Sequence, residues 1–140
     1  MSTAITTADI VAVAEFRATL RRFLRRTERI ARQSGLTPQR YLLLLMVKGA
    51  PDGSGQSTVT ELAERLQLAQ STVTELVSRA EEAGLVEREQ SQTDARVAHL
   101  RLTSEGERRL FDAFTTLAAE RSSLRDAFQH LDAEVDAALS

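Results

Sequence analysis

Two stretches carry side chains that could act on another molecule. The first is Gln70-Ser71-Thr72-Val73-Thr74-Glu75-Leu76-Val77-Ser78-Arg79. Val73, Leu76, Val77 and Ala80 recur at three- and four-residue steps, which predicts one buried helical face. Gln70, Ser71, Thr72, Thr74, Glu75 and Arg79 then remain for a partner. Amides and hydroxyls on the first turns of a helix can reach phosphate oxygens or base edges, and the open N–H groups there attract phosphate. The second stretch is the loop Gln90-Ser91-Gln92-Thr93-Asp94-Ala95-Arg96, between two strand-like runs. Asp94 and Arg96 stand two residues apart in that loop. The plainer alternatives are ordinary helix-surface polarity for the first stretch and a weak surface ion pair for the second. Arg79 could equally pair with Glu75 or Glu82 on its own helix.

Other chemistries find little support. His99 and His130 are far apart in sequence, with no hydroxyl or carboxylate constellation beside either. There is no glycine-rich phosphate loop and no metal-ligand spacing. With no cysteine there is neither a disulfide framework nor a thiol switch. The expectation is a protein that is not an enzyme and takes no cofactor or metal. All six aromatic residues lie outside residues 57–106. Single strands are usually held by aromatic stacking, so the reading points to double-stranded DNA.

The elements that must position these groups follow from the hydrophobic pattern. The chain has 140 residues, enough for one domain with a real core. No apolar run approaches the roughly 20 residues that span a membrane, and no signal peptide is read at the start. A soluble cytoplasmic protein is expected. From Asp9 to Ser34 the residues Ile10, Val13, Phe16, Leu20, Phe23, Leu24, Ile30 and Ala31 predict an amphipathic helix, with Gly35 as its stop. Its polar face carries Arg17, Arg21, Arg25 and Arg29, with Arg22 and Arg26 alongside; this is either a solvated face or one that meets phosphate or a partner.

Thr37 and Pro38 start a second helix, apolar almost all round from Tyr41 to Val47 and so expected to be covered on most sides. A third helix starts from Thr58 with Glu61 at capping-box spacing, or from Thr60. After the short turn Gln67-Leu68-Ala69 comes the helix from Gln70 to Gly84, which makes a helix-turn-helix. Leu85–Glu89 and the alternating Val97–Leu102 read as the two strands of a wing. Thr103 can cap the last helical region. There Leu110, Phe114, Leu117, Arg121, Leu124, Phe128, Leu131, Val135 and Ala138 form a heptad seam. Asp132 could cap a short final helix after a break near His130, and one helix or two stays open.

Charge complicates the DNA reading. Net charge is −2. Residues 10–40 hold eight Arg against Glu15 and Glu28, a net of +6, whereas residues 57–106 hold five Arg against nine acids, a net of −4.

In order along the chain, Leu36-Thr37-Pro38, Thr60-Glu61-Leu62-Ala63, Ser71-Thr72-Val73-Thr74, Leu76-Val77-x-Arg79, Gly84-Leu85-Val86-Glu87-Arg88, Asp94-x-Arg96 and Leu102-Thr103-x-Glu105-Gly106 resemble the MarR family of bacterial winged helix-turn-helix regulators. The resemblance implies a mainly α fold with a small β wing, in a single domain over residues 1–140. Residues 57–106 would be the DNA-binding lobe, and 9–35 and 104–139 the dimerisation helices. It implies a homodimer on a pseudopalindromic operator, typically a repressor, often released by a small aromatic ligand. The DNA-contacting set it implies is Gln70, Ser71, Thr72, Thr74, Glu75, Arg79, Asp94 and Arg96. Two departures stand out: Ala69 replaces a common Ser or Asp cap, and Glu75 occupies a position that is often basic. The alternative function is a winged-helix interaction module that no longer reads DNA. Phe16, Phe23, Tyr41, Phe111 and Phe114 either line a ligand pocket or form core and dimer seam.

Overall fold

The computed structural model describes residues 4–91, 93–94 and 96–139, with side chains through 131. Gln92 and Ala95 of the wing loop, and the side chains of Asp132, Val135 and Ala138, lie outside the described residues. The element order is α1 (Thr7–Gln33), α2 (Pro38–Lys48), β1 (Gln56–Ser57), α3 (Val59–Leu66), α4 (Gln70–Glu82), β2 (Val86–Gln90), β3 (Ala98–Leu102), α5 (Ser104–Thr116) and α6 (Ala118–Leu139). The chain is therefore mainly helical with a small antiparallel sheet, as the hydrophobic pattern predicts. It divides into two compact units, Met1–Ile30 with Thr115–Ser140, and Ala31–Phe114. Among the described residues no helix is long and apolar enough to cross a membrane.

The helix ends follow their local chemistry. Gly35 takes φ +79°, which lets the Leu36 N–H reach the Ala31 carbonyl at 2.8 Å and close α1. Thr37 caps α2, its hydroxyl accepting the Arg40 N–H at 3.1 Å, with Pro38 on the first turn. Thr58, not Thr60, caps α3. Its Oγ1 accepts the Glu61 N–H, and the Glu61 carboxylate accepts the Thr58 N–H, each at 3.2 Å. In α2, Tyr41, Leu43, Leu44 and Val47 are buried, but Leu42 is 41% exposed, so the cover expected on most sides is incomplete there.

The second unit's core gathers α2, the buried faces of α3 and α4, and the sheet. Leu43, Leu44, Val47, Leu62, Val73, Val77, Leu85 and Leu100 are closed to solvent or nearly so. Burying a residue of this size contributes roughly 1.5–3 kcal/mol. The wing strands pair as predicted, with Val86 opposite Leu102 and Gln90 opposite Ala98. A third strand, β1, adds to the other side of β3, with Gln56 opposite Arg101 and Ser57 opposite Leu100. Two residues are too few to show a period of two, so nothing in the sequence marks this strand. The C-terminal region is two helices, and the break falls at Leu117 rather than near His130. The Leu117 carbonyl accepts the Arg121 N–H at 3.0 Å and so starts α6. No Gly or Pro punctuates that position.

Where α4, the sheet and α5 meet, the space is tight. Thr103 donates through Oγ1 to the Gly84 carbonyl at 2.6 Å, and its N–H donates to the Leu85 carbonyl at 3.0 Å. Gly106 lies in the first turn of α5, and a Cβ there would fall on the Leu85 carbonyl oxygen. Backbone on both sides leaves no room to yield. Gly106→Ala is expected to destabilise by about 1–3 kcal/mol, lowering the thermal midpoint by several degrees in a calorimetric scan. An unchanged midpoint would contradict this packing.

Glu105 clamps two arginines. It takes Arg108 through both carboxylate oxygens, at 2.6 and 3.0 Å, and the Arg109 Nε at 2.8 Å. Arg109 in turn donates to the Gly35 carbonyl at 2.8 Å, tying α5 to the α1–α2 turn. The Arg108 bonds first, then those from Arg109, hold the Glu105 carboxyl at about 2, down from 4.5. A depressed carboxyl stabilises the fold above its unfolded value, and that contribution is lost as pH falls through 4.5 toward 2. A carbon-detected NMR titration should place the Glu105 midpoint near 2; a midpoint in the ordinary carboxylate range would mean the clamp is open in solution.

Candidate nucleic-acid interface

The recognition candidate α4 is positioned from its buried side. Val73, Val77 and Ala80 are fully buried. At roughly 100° per residue, Ser71 and Glu75 then project nearly opposite that stripe, with Thr72 and Arg79 flanking them. Gln70, Ser71, Thr72, Thr74, Glu75 and Arg79 are all exposed, so one helix face presents the whole predicted set. The turn before α4 is fixed by Gln67, which takes φ +56° although it is not glycine. Its N–H reaches the Ala63 and Glu64 carbonyls, and its side-chain amide donates to the Glu64 carbonyl at 2.6 Å. Those bonds offset the strain of a left-handed side-chain-bearing residue, roughly 1–3 kcal/mol. Gln70 donates to the Thr60 hydroxyl at 3.2 Å, so part of its amide ties α4 to α3. Ala69 gives α4 no side-chain cap.

The wing is ordered by its own polar atoms. Ser91 Oγ accepts the N–H groups of Thr93 and Asp94, at 3.2 and 3.3 Å. Across the loop, the Ser91 N–H donates to the Val97 carbonyl at 2.9 Å, and the Val97 N–H to the Asp94 carbonyl at 3.0 Å. One oxygen of Asp94 accepts both the backbone N–H of Arg96 at 3.0 Å and its Nε at 3.2 Å. The backbone bond first, then the side-chain bond, lowers the Asp94 carboxyl. The Arg96 side chain is nonetheless 91% exposed, aimed outward from a fixed base.

Every arginine of residues 57–106 is engaged. Arg65 donates to the Met46 carbonyl at 2.9 Å, Arg79 meets Glu75 at 2.6 Å, and Arg88 meets Glu81 at 2.8 Å. Arg96 rests on Asp94, and Arg101 bridges Glu87 and Glu89 at 2.9 and 3.3 Å. Of the two partners open to Arg79, the structure selects Glu75. Exposed pairs of this kind are worth about 0–1 kcal/mol, so exchanging a carboxylate for a phosphate costs little.

The five candidate pocket residues, Phe16, Phe23, Tyr41, Phe111 and Phe114, fall into different surroundings. Phe16 meets Phe128 edge-on at 6.0 Å between ring centroids. Phe23 lines a cavity of about 370 Å³ with Thr19, Arg22, Arg26, Glu120 and Ser123. Tyr41 is buried. Phe111 and Phe114 wall a smaller apolar cavity, about 210 Å³, with Leu45, Gly49 and Leu110. Lys48 stands at that cavity, 5.8 Å from the Phe111 ring centre and 2.7 Å from Glu107. Sequence reasoning passed over Lys48 and weighed Thr60 only as a helix cap. The chain's single lysine, ending an otherwise apolar helix, was the available signal for the former. Among the described residues no group of three or more His, Cys, Asp or Glu could hold a metal ion.

Removing the carboxylate of Asp94 should loosen the wing locally. Asp94→Ala is expected to speed hydrogen exchange at the Arg96 amide while leaving the α4 amides unchanged. Equal protection in both proteins would show that the turn holds without the carboxylate.

Comparison with known proteins accords with this geometry. A MarR family transcription regulator of known structure is 23% identical and superposes with a TM-score of 0.71, over 93% of this chain and 85% of its own. A mutant MarR from E. coli complexed with operator DNA is 17% identical, with a TM-score of 0.68 over 98% and 100% of the two chains. Streptococcus pneumoniae FabT in complex with DNA is 24% identical, with a TM-score of 0.58 over 65% and 61%. None of the curated proteins compared matches the chain. Residues 34–97 match the sequence pattern of the MarR family. The chain thus carries the MarR family sequence in its central segment and has the winged-helix fold of the MarR family transcription regulators.

Proposed function

We propose that this protein is a homodimeric transcriptional regulator that binds a pseudopalindromic double-stranded operator, as a repressor. The observation that carries the reading is the joint presentation of the exposed α4 face and the Arg96 side chain, each held from behind by buried or hydrogen-bonded structure. Two of the structural relatives are described as complexes with DNA. A recognition helix of this kind enters the major groove by its N-terminal turns, where Ser71 and Thr72 lie, while Arg96 reaches the adjacent minor groove.

The dimer is supported by exposed apolar surface on the first unit. Ile5, Ile10, Val11, Val13, Leu24 and Phe128 are all at least half exposed. A second copy meeting this unit would cover them. Two lobes about 34–36 Å apart would then match one turn of duplex. An effector is supported by the cavity walled by Phe111 and Phe114, whose size and apolar lining suit a small aromatic acid with Lys48 as counter-ion.

The acidic balance of the lobe, with each arginine engaged, favours a second reading, a winged-helix module that binds protein instead of DNA. Titration of a duplex from the gene's upstream region separates the two. Salt-dependent binding with two chains per site is expected, and Arg96→Ala should cost roughly 1–3 kcal/mol. Binding that ignores salt, or an Arg96→Ala variant with undiminished affinity, would sink the DNA reading.

A further inference from the structure

Glu75 occupies the centre of the face that would meet DNA, where an acid needs a reason. It projects nearly opposite the buried stripe of α4, on the same side as Ser71 one turn earlier. A helix docked by that face carries Glu75 toward the groove floor, not the rim. Its side chain is 65% exposed, and its Oε1 accepts from Arg79 Nη2 at 2.6 Å. That one bond leaves Oε2 of Glu75 and the remaining guanidinium nitrogens of Arg79, an acceptor and several donors, in the same exposed neighbourhood.

A carboxylate among phosphates is repelled unless donors meet it. In the major groove only the amino groups of cytosine and adenine donate. Beside the cytosine amino group, the paired guanine offers two acceptors, O6 and N7, the pattern that an arginine grips with two bonds. Beside the adenine amino group the acceptors lie on either side, one from each base, and the guanidinium meets only one of them. We propose that Glu75 and Arg79 form one reading dyad for a C·G pair in each operator half-site. Glu75 Oε2 accepts from cytosine N4, and Arg79 donates to the paired guanine. The ion pair already present in the free protein brings the two groups together on one face before DNA arrives. The dyad rests on the DNA-binding reading, and it gives the acid at position 75 a selective role instead of a purely repulsive one.

The experiment is selection from a randomised duplex pool with the full-length wild-type chain, Glu75→Gln and Glu75→Ala, followed by affinity measurement on the selected sites. Wild type should select an invariant C·G pair in each half-site and lose about tenfold in affinity when it becomes A·T. Glu75→Gln should move the preference to adenine, whose N6 and N7 a carboxamide matches. Glu75→Ala should keep only a weakened preference for C·G, through Arg79 alone, and hold non-cognate duplex more tightly than wild type. If the variants select the wild-type sites with the wild-type discrimination, the dyad is wrong while DNA binding stands. If the wild-type chain retains no duplex even at low salt, the DNA reading falls and the dyad with it.

Discussion

The carbonyl oxygens of Gly84 and Leu85 are where α4, the wing and the following helix are joined. Leu85 is fully buried, and its N–H closes α4 on the Ala80 carbonyl at 2.9 Å. Its own carbonyl accepts from Thr103 and lies where a Cβ on Gly106 would fall. Thr103 takes the Gly84 carbonyl with its hydroxyl, and that same oxygen accepts the Gly106 N–H at 3.1 Å. Four backbone segments share a space that admits no extra methyl. The angle at which α4 leaves the lobe is thereby coupled to the wing strands and to the start of α5. Leu85 is buried, and leaving its carbonyl without a donor would be costly, so the Thr103 bond holds the end of β3 to the start of the wing.

From that junction the lobe solves a charge problem. Residues 57–106 carry a surplus of acids, yet the two elements that would meet DNA need not repel it uniformly. Carboxylates and guanidiniums are paired across the surface, Glu81 with Arg88 and Glu87 and Glu89 with Arg101. Such pairing neutralises the sheet edge at little energetic cost in either direction. What stays outward is specific in placement: hydroxyls on the first turns of α4, the Glu75–Arg79 pair, and the Arg96 tip. A surface of this kind gains less from the sequence-independent phosphate term and leans more on the positions of a few groups. Those positions are set by hydrogen bonds behind them, Gln67 in the turn before α4 and Asp94 under the wing.

The helix-turn-helix, the wing strands and the caps at Thr37 and Thr58 were legible in the sequence because each is local. Hydrophobic period, a threonine with its glutamate three residues on, and Asp94 two residues before Arg96 all act within a turn or a hairpin. The exposed set on α4 was legible for the same reason, since burying Val73, Val77 and Ala80 fixes what the opposite side must show, although Leu76, expected on that face, is only half-buried. Tertiary structure alone decided the rest. It added β1 to the sheet, since a two-residue strand is defined by its partner β3 and not by its own pattern. It put the C-terminal break at Leu117, where no breaker residue stands. It chose Glu75 over Glu82 for Arg79, a choice between two partners on one helix that spacing leaves equal. It also divided the aromatic residues among separate surroundings, because which cavity a side chain enters depends on distant segments brought together by folding. Local periodicity sets which face an element shows; only the packed chain sets what that face meets.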